Sequence, residues 1–269
     1  MMAVVLARGA GRRMRAPAAA ALSDAQRAAA DGGLKVAMPV GTGSGQPFLD
    51  FALSALADAG CTDACLVVPP EYEAWRQRYA PARCLRLRVQ FAPQEAPTGT
   101  AAAVCAAASA VGDRPFLVVN GDNLYPPHAL EQLVALEGCG LAAFTRASLV
   151  NQSGFDLNRV ARFALVDSDE HGWLTGLREK LPLDDLAARA PEALISMNAW
   201  RFDRTVLDAC CAVAPSPRGE YELPDAVMLA VARGTPLRVL TASGAVLDLT
   251  GRDDVAVVSQ RLADREPRL

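Results

Sequence analysis

Between Val4 and Thr145, short apolar runs alternate with stretches of helical pattern, and this alternation constrains the fold more than any other feature of the chain. The apolar runs are Val4-Val5-Leu6, Cys65 to Val68, Phe116-Leu117-Val118-Val119 and Leu141 to Thr145, and Leu85 to Phe91 reads as a further strand. Phe116 to Val119 is apolar without interruption, the pattern of a strand buried on both faces. Helical patterns fill the intervals. Phe48, Phe51, Leu53 and Leu56 supply an apolar face that ends at Gly60; Glu71 to Tyr79, the alanine-rich Thr100 to Ala110 just after Gly99, and Pro127 to Leu136 follow. Such alternation predicts an α/β fold with a mixed, mainly parallel central sheet flanked by helices.

Beyond Gln152 the texture changes. Val160 to Val166, Trp173 to Arg178 and Ile195 to Phe202 read as strands separated by turns such as Glu170-His171-Gly172. Helices return at Arg204 to Val213 and Leu223 to Ala232, then strands Leu237 to Thr241 and Val246 to Leu249, and a closing helix from Asp253. There is no tandem repeat and no long linker. With 269 residues, 51% of them hydrophobic, a sizeable core is available, and one domain over 1–269 with halves at about 1–150 and about 151–269 is expected. The stretch 16 to 33 is alanine-rich and ends in Asp31-Gly32-Gly33, so a short helix and a mobile flap both fit.

A net charge of -3 provides no overall basic field, which argues against nucleic acid as a partner. No apolar run approaches the roughly 18 to 20 residues that span a bilayer, and the N-terminus enters strand and glycine loop without the apolar stretch of a secretory signal. A cytoplasmic protein with no membrane partner is expected. The seven cysteines, at 61, 65, 84, 105, 139, 210 and 211, include no C-x-x-C pair, and only His128 and His171 accompany them. Buried thiols in a reducing cytosol are expected in preference to a zinc site.

The chemistry-bearing residues begin at once. The strand Val4-Val5-Leu6 runs into Ala7-Arg8-Gly9-Ala10-Gly11-Arg12-Arg13-Met14-Arg15, a loop able to wrap an anion and complete its neutralisation with arginines; a solvated basic turn is the alternative. It is not a dinucleotide fingerprint, because Met14 stands where the third glycine of G-x-G-x-x-G belongs, and it lacks the G-K-[ST] ending of a Walker loop. Asp122 and Asp248 each follow a short apolar strand, so both can lie at the carboxyl edge of one sheet, where open α/β sheets bind ligands. Two converging carboxylates suit Mg²⁺, although Asp122 in Asn120-Gly121-Asp122-Asn123 is also an ordinary turn residue. Gln94, Gly99 and Thr100 open a helix start that can read a base edge or simply cap a helix. Glu179-Lys180 can hold hydroxyls and anions or form a solvated surface pair.

Taken in order, these segments resemble the sugar-phosphate nucleotidylyltransferase family, and the resemblance is collinear over nearly the whole chain. Leu6 to Met14 resembles the family's L-A-x-G-x-G-x-R-M signature, placing Arg13 at its arginine. Lys35 with Pro39-Val40 resembles K-x-x-x-P-V, Gln46-Pro47 the G-K-P segment, Gln94 through Gly99-Thr100-Ala101 the Q-x-x-P-x-G-T-A segment, and Gly121-Asp122 the G-D motif. Glu179-Lys180-Leu181-Pro182 is similar to the E-K-P element, Asn198 lies in a match to the asparagine strand, Gly219 to Asp225 resembles G-E-Y-E-L-T-D, and Leu247 to Gly251 resembles the D-V-G-T segment.

The resemblance implies a single Rossmann-like (GT-A-like) nucleotidyltransferase domain that joins a nucleoside triphosphate to a sugar 1-phosphate with Mg²⁺ and releases pyrophosphate. Such a reaction brings two polyanions together, so it needs charge neutralisation and in-line positioning. The implied catalytic set is Arg13, Lys35 and Lys180. The nucleotide-binding set is Leu6, Ala7, Gly9, Gly11, Arg12, Gln94, Gly99 and Thr100. The sugar-phosphate set is Asn123, Glu179, Lys180, Asn198 and Glu220, and the metal ligands are Asp122 and Asp248. An acceptor that is a non-sugar alcohol phosphate, a noncatalytic nucleotide-sensing relative, and a homo-oligomer are compatible with the same residues. The chain departs from the family at Arg8, where a small residue is usual, in the length of the stretch from Met14 to Lys35, in the expanded turn Gly41 to Gly45 ending in Gln46, and at Ala164 in place of a glycine. These positions surround the substrates and so concern the choice of nucleotide and sugar.

Overall fold

The computed structural model describes residues 1–9, 11–18, 20–41, 45–179 and 181–269. Lys180, and Thr42, Gly43 and Ser44 of the expanded turn, lie outside the described residues. The strands are β1 (Met2–Leu6), β2 (Pro39–Val40), β3 (Gln46–Pro47), β4 (Asp63–Val68), β5 (Arg88–Pro93), β6 (Phe116–Asn120), β7 (Asn123–Leu124), β8 (Cys139–Thr145), β9 (Ala164–Ser168), β10 (Leu174–Arg178), β11 (Leu194–Phe202), β12 (Leu237–Ala242) and β13 (Leu247–Asp248).

β1 sits in the middle of the main sheet, parallel to β4 on one side and β6 on the other, with β5 parallel on β4. Its side chains alternate between two cores. Ala3 and Val5 face one cluster with Leu66, Leu53 and Leu117, and Met2 and Val4 face the other with Val67, Val104 and Val118. Burial on both faces is why β1, β4 and β6 read as continuous apolar runs. The expected parallel arrangement thus holds across the first half. The second half makes the sheet mixed, because β11 runs antiparallel to β6, β8 and β9 at once, and β10 and β12 extend it on either side. Nine strands form this sheet among the described residues.

Register explains how the second half overhangs the first. β6 ends at Asn120, and its last partner on β11 is Ala199, opposite Val119. From Ser196 to Leu194, β11 continues past that end, paired with β9 and β8 only. The step occurs at Asn198, which adopts φ +58° where the register shifts between Ser196 and Trp200. An asparagine tolerates this left-handed conformation better than most residues. β9 to β11 therefore rise as a wall beside the carboxyl edge of β1, β4, β5 and β6.

Several boundaries differ from the expectations. Val160 belongs to the helix Leu157–Val160, capped by Asp156, whose side chain accepts from Arg159 N, so the strand begins later, at Ala164. The third strand begins at Arg88, and the alanine segment breaks at Ala107 into helices Thr100–Ala106 and Ala108–Val111. In 16 to 33 the helix alternative is realised: Asp24–Asp31 carries a full capping box between Ser23 and Gln26. It is tied down by Arg252, which donates to Met14 O and pairs with Asp31, over a small core of Met14, Leu22, Ala30, Met38 and Phe48.

The cysteine expectation is corrected in part. Five cysteines are buried thiols, but Cys105 and Cys211 form a disulfide between the helices Thr100–Ala106 and Arg204–Ala212. These helices pack side by side although the two residues lie 106 positions apart.

Candidate active site

The glycine loop leaves the carboxyl end of β1 and turns sharply. Gly11 has φ +59°, and a Cβ there would lie 2.1 Å from Gly33 O, so the loop closes against the end of the helix Asp24–Asp31 through two glycine backbones. Met14 is fully buried while Arg12 and Arg13 on the same turn are exposed, and neither makes an ion pair among the described residues. One buried anchor thus presents two uncommitted guanidinium groups. Leu6 and Ala7 remain in register with β4 through Ala7 N, which donates to Val67 O, and Gly9 is exposed.

Gly121 sets the next piece. Its N–H donates to Leu6 O, and a Cβ there would meet that oxygen and Val36 at 3.1 Å, so the residue is small where β6 must pass close to β1. Asp122 follows directly. Its backbone oxygen accepts from Leu249 N, and β7 pairs with β13 so that Asn123 faces Asp248 across the ladder. Asp122 and Asp248, 126 positions apart in the chain, are thereby brought to one place.

Both carboxylates are neutralised from within the protein. Lys35 Nζ stands 3.0 Å from Asp122 Oδ2. Arg159 Nη2 stands 2.9 Å from Asp248 Oδ2, and the hydroxyl of Thr250 donates to the same oxygen at 2.9 Å. Burial pushes the Asp248 carboxyl up from its ordinary range, the charge of Asp122 adds to that push, and Arg159 and Thr250 oppose it. The second oxygen of each carboxylate has no hydrogen-bond partner among the described residues. Two carboxylates whose charges oppose each other, each with an oxygen left over, make a donor set that fits Mg²⁺, which takes one or two carboxylates and completes its shell with water and phosphate. No group of three or more His, Cys, Asp or Glu that could hold a metal ion occurs among the described residues.

The other residues expected to take the nucleotide form a second patch on the same edge. Gln94 is buried at the end of β5, and its side-chain amide donates to Gly99 O. Gly99 has φ +116°, and a Cβ there would lie 2.3 Å from Tyr221 O. Tyr221 N donates to Thr98 O, Ala101 N donates to Tyr221 O, and the hydroxyl of Thr100 accepts from Leu223 N. The Q-x-x-P-x-G-T-A and G-E-Y-E-L segments, assigned to different substrates from sequence, are therefore one backbone-linked unit. Arg8 belongs to it as well: its Nε donates to Gln94 O and its Nη2 to Glu95 O. The bulky residue reaches across the end of β4 and straps β1 to β5.

On the overhanging wall, Arg178 pairs with Leu165 and Ala164 with Ser196, so Glu179 leaves β10 level with Ala164 and two residues from Asn198. Arg218 lies 3.9 Å from Glu179 and 2.7 Å from Glu222. Asn198 accepts from the indole of Trp200, and its carbonyl and that of Met197 accept from Tyr125 OH, which in turn accepts from Asn120 N. Glu220 is half-buried, and its backbone oxygen accepts from Ser216 N. Asn123 is enclosed: it lines a cavity of about 10 Å³ with Leu124, Tyr125 and Leu130, and its amide nitrogen has no hydrogen-bond partner among the described residues. Arg159 and Tyr125 fall in none of the motifs, and Thr250 falls within the segment that resembles D-V-G-T without a role of its own. Arg159 carried no local signal, since its partner Asp248 lies 89 positions away.

Fold and edge together define a class, the α/β proteins whose functional loops gather at the carboxyl ends of parallel strands. Within that class the chain belongs to the nucleotidyl transferase family, whose model matches residues 2–255. Among curated relatives, the glucose-1-phosphate thymidylyltransferase of Streptomyces antibioticus is 27% identical over 83% of this chain and 60% of its own length. The thymidylyltransferase of Streptomyces griseus is 26% identical over 100% of this chain and 68% of its own. The UTP–glucose-1-phosphate uridylyltransferase of Haloferax volcanii is 26% identical over 82% and 85%. The chain thus spans about 60% of the length of the first of these relatives. In three dimensions the fold matches UDP-glucose pyrophosphorylase complexed with UDP-glucose, with a TM-score of 0.73 and 15% identity over 97% of both chains. No helix among the described residues is long and apolar enough to cross a membrane.

Proposed function

We propose that this chain transfers a nucleotidyl group from a nucleoside triphosphate to a sugar 1-phosphate, with thymidine or uridine triphosphate and glucose 1-phosphate as the first pair to test. The observation that carries the proposal is the convergence of Asp122 and Asp248 beside the glycine loop, each with one oxygen held by a protein cation and one left without a partner. A sugar-phosphate oxygen attacks the α-phosphorus; the new P–O bond forms as the bond to the bridging oxygen breaks, and pyrophosphate leaves with that electron pair. No protein nucleophile is needed, since the attacking oxygen is already anionic.

Each residue then has a physical task. Arg12, Arg13 and the backbone of Gly9 and Gly11 neutralise the β and γ phosphates that depart. Lys35 waits on Asp122 within reach of the same edge and serves as a point charge for phosphate, and Lys180 supplies the second. Gln94, Gly99 and Thr100, with Leu6 and Ala7 at the end of β1, receive the base and ribose, while Glu179 and Asn198 on the wall, with Glu220, receive the sugar. Mg²⁺, held by Asp122 and Asp248, would neutralise the α-phosphate and orient it for in-line attack. The reaction belongs in the cytoplasm, where nucleoside triphosphates are abundant.

Pyrophosphate release across a panel of triphosphates and sugar 1-phosphates tests the reading. Asp122→Asn and Asp248→Asn are expected to lower kcat by about a hundredfold or more with the fold intact, since charge stabilisation of the reacting phosphate is the main catalytic term. Full activity in both variants would remove the cation from this site.

A further inference from the structure

Asp248 does not simply lie beside Arg159; it is held by a bracket that determines which of its oxygens is free. Arg159 Nη2 donates both to Asp248 Oδ2 and to the Asp248 backbone oxygen, each at 2.9 Å. The Thr250 hydroxyl fills a second position on Oδ2. Arg159 Nη1 reaches Asp254 Oδ1, and Asp254 Oδ2 accepts from the backbone N–H groups of Thr250 and Gly251 at 2.8 and 2.7 Å. The guanidinium lies over the ring of Phe155, 4.2 Å from its centroid. A planar fork with one arm on each carboxylate and a ring beneath it has little freedom to turn.

With both acceptor positions of Oδ2 occupied, Oδ1 is the oxygen of Asp248 that remains for a ligand. On Asp122, Lys35 holds Oδ2 through one hydrogen bond, and Oδ1 has no partner among the described residues. Each carboxylate therefore offers one oxygen without a protein partner among the described residues. Such monodentate ligands suit the small, octahedral Mg²⁺, whereas Ca²⁺ gains from carboxylates that turn and bind through both oxygens.

We propose that Arg159 is a positioning residue that restricts Asp248 to one free oxygen and so biases the site toward Mg²⁺ over Ca²⁺. The inference rests on the reading of Asp122 and Asp248 as cation ligands. Arg159 acts through Asp248 and does not itself meet substrate.

The test is Mn²⁺ binding to the full chain, followed by the spectrum of the free ion, with Mg²⁺ and Ca²⁺ as competitors. In Arg159→Lys the charge is kept but one amine cannot span Asp248 and Asp254, and the ratio of Ca²⁺ to Mg²⁺ affinity is expected to rise by about tenfold, the scale on which outer partners of metal ligands act. Thr250→Val removes the other occupant of Oδ2 without touching the ion pairs and is expected to shift the ratio in the same direction. Thermal unfolding checks that both variants are folded, and Thr250→Val keeps the inference testable if Arg159→Lys is not. An unchanged ratio in the folded variants overturns the inference while leaving the ligand assignment standing. Mn²⁺ binding that survives in both Asp122→Asn and Asp248→Asn overturns the ligand assignment, and the inference with it.

Discussion

Replacing Gly99 with alanine tests the joint between the two segments proposed to bind the substrates. At φ +116° and ψ 170° the backbone occupies a region essentially reserved for glycine, where a side chain costs about 1–3 kcal/mol in strain. The added Cβ would also lie 2.3 Å from Tyr221 O and 2.6 Å from Tyr221 N, and because these are backbone atoms the segment must move as a whole. That movement breaks the bonds from Tyr221 N to Thr98 O and from Ala101 N to Tyr221 O, each worth about 1 kcal/mol net. The expected total is about 3–5 kcal/mol.

Gly112 provides the control. Its φ is +63°, also unfavourable for alanine, but a Cβ there meets nothing within 4 Å. Gly112→Ala should therefore show strain alone, and Gly99→Ala should be less stable than it by about 2 kcal/mol, close to 30-fold in the folding equilibrium. Urea unfolding followed by circular dichroism gives the comparison, and triphosphate affinity measured below the transition should fall only in Gly99→Ala. Equal losses of stability in the two variants would refute the argument that Gly99 is glycine because Tyr221 occupies the space.

Arg8→Ala removes the strap to the carbonyls of Gln94 and Glu95, and KM for the triphosphate is expected to rise by about tenfold with kcat nearly unchanged; an unchanged KM would detach Arg8 from the nucleotide loop. Under native conditions without reductant the chain should react slowly with thiol reagents, because the five free cysteines are buried and Cys65, Cys139 and Cys210 are pushed up to about 12, chiefly by burial. In denaturant without reductant five thiols should titrate; seven would show that Cys105 and Cys211 are not joined.

The features legible in the sequence are local in their physical cause. A strand buried on both faces is mostly apolar, so β1, β4 and β6 show as runs rich in Val and Leu, and their spacing with helices implies a parallel sheet. The order of short motifs was visible for a similar reason, since each loop at the carboxyl edge carries its own glycines and charges. Boundaries shifted where a long-range contact decided them: Val160 joined a helix whose arginine is held by Asp248 and Asp254, and Asp24–Asp31 became a fixed helix once Arg252 reached it from the far end of the chain.

The sequence alone determined the layered α/β plan, the glycine loop at the end of β1 and the candidacy of Asp122 and Asp248, because periodicity and motif order are properties of neighbouring residues. Tertiary structure decided how those pieces combine. It made Gly99 and Tyr221 one unit, placed Arg8 across β4, lifted β9 to β11 past the sheet edge at Asn198, and assigned one internal cation to each carboxylate. These outcomes depend on which distant atoms meet at about 3 Å, and a hydrogen bond or ion pair across tens of residues leaves no period for the chain to display.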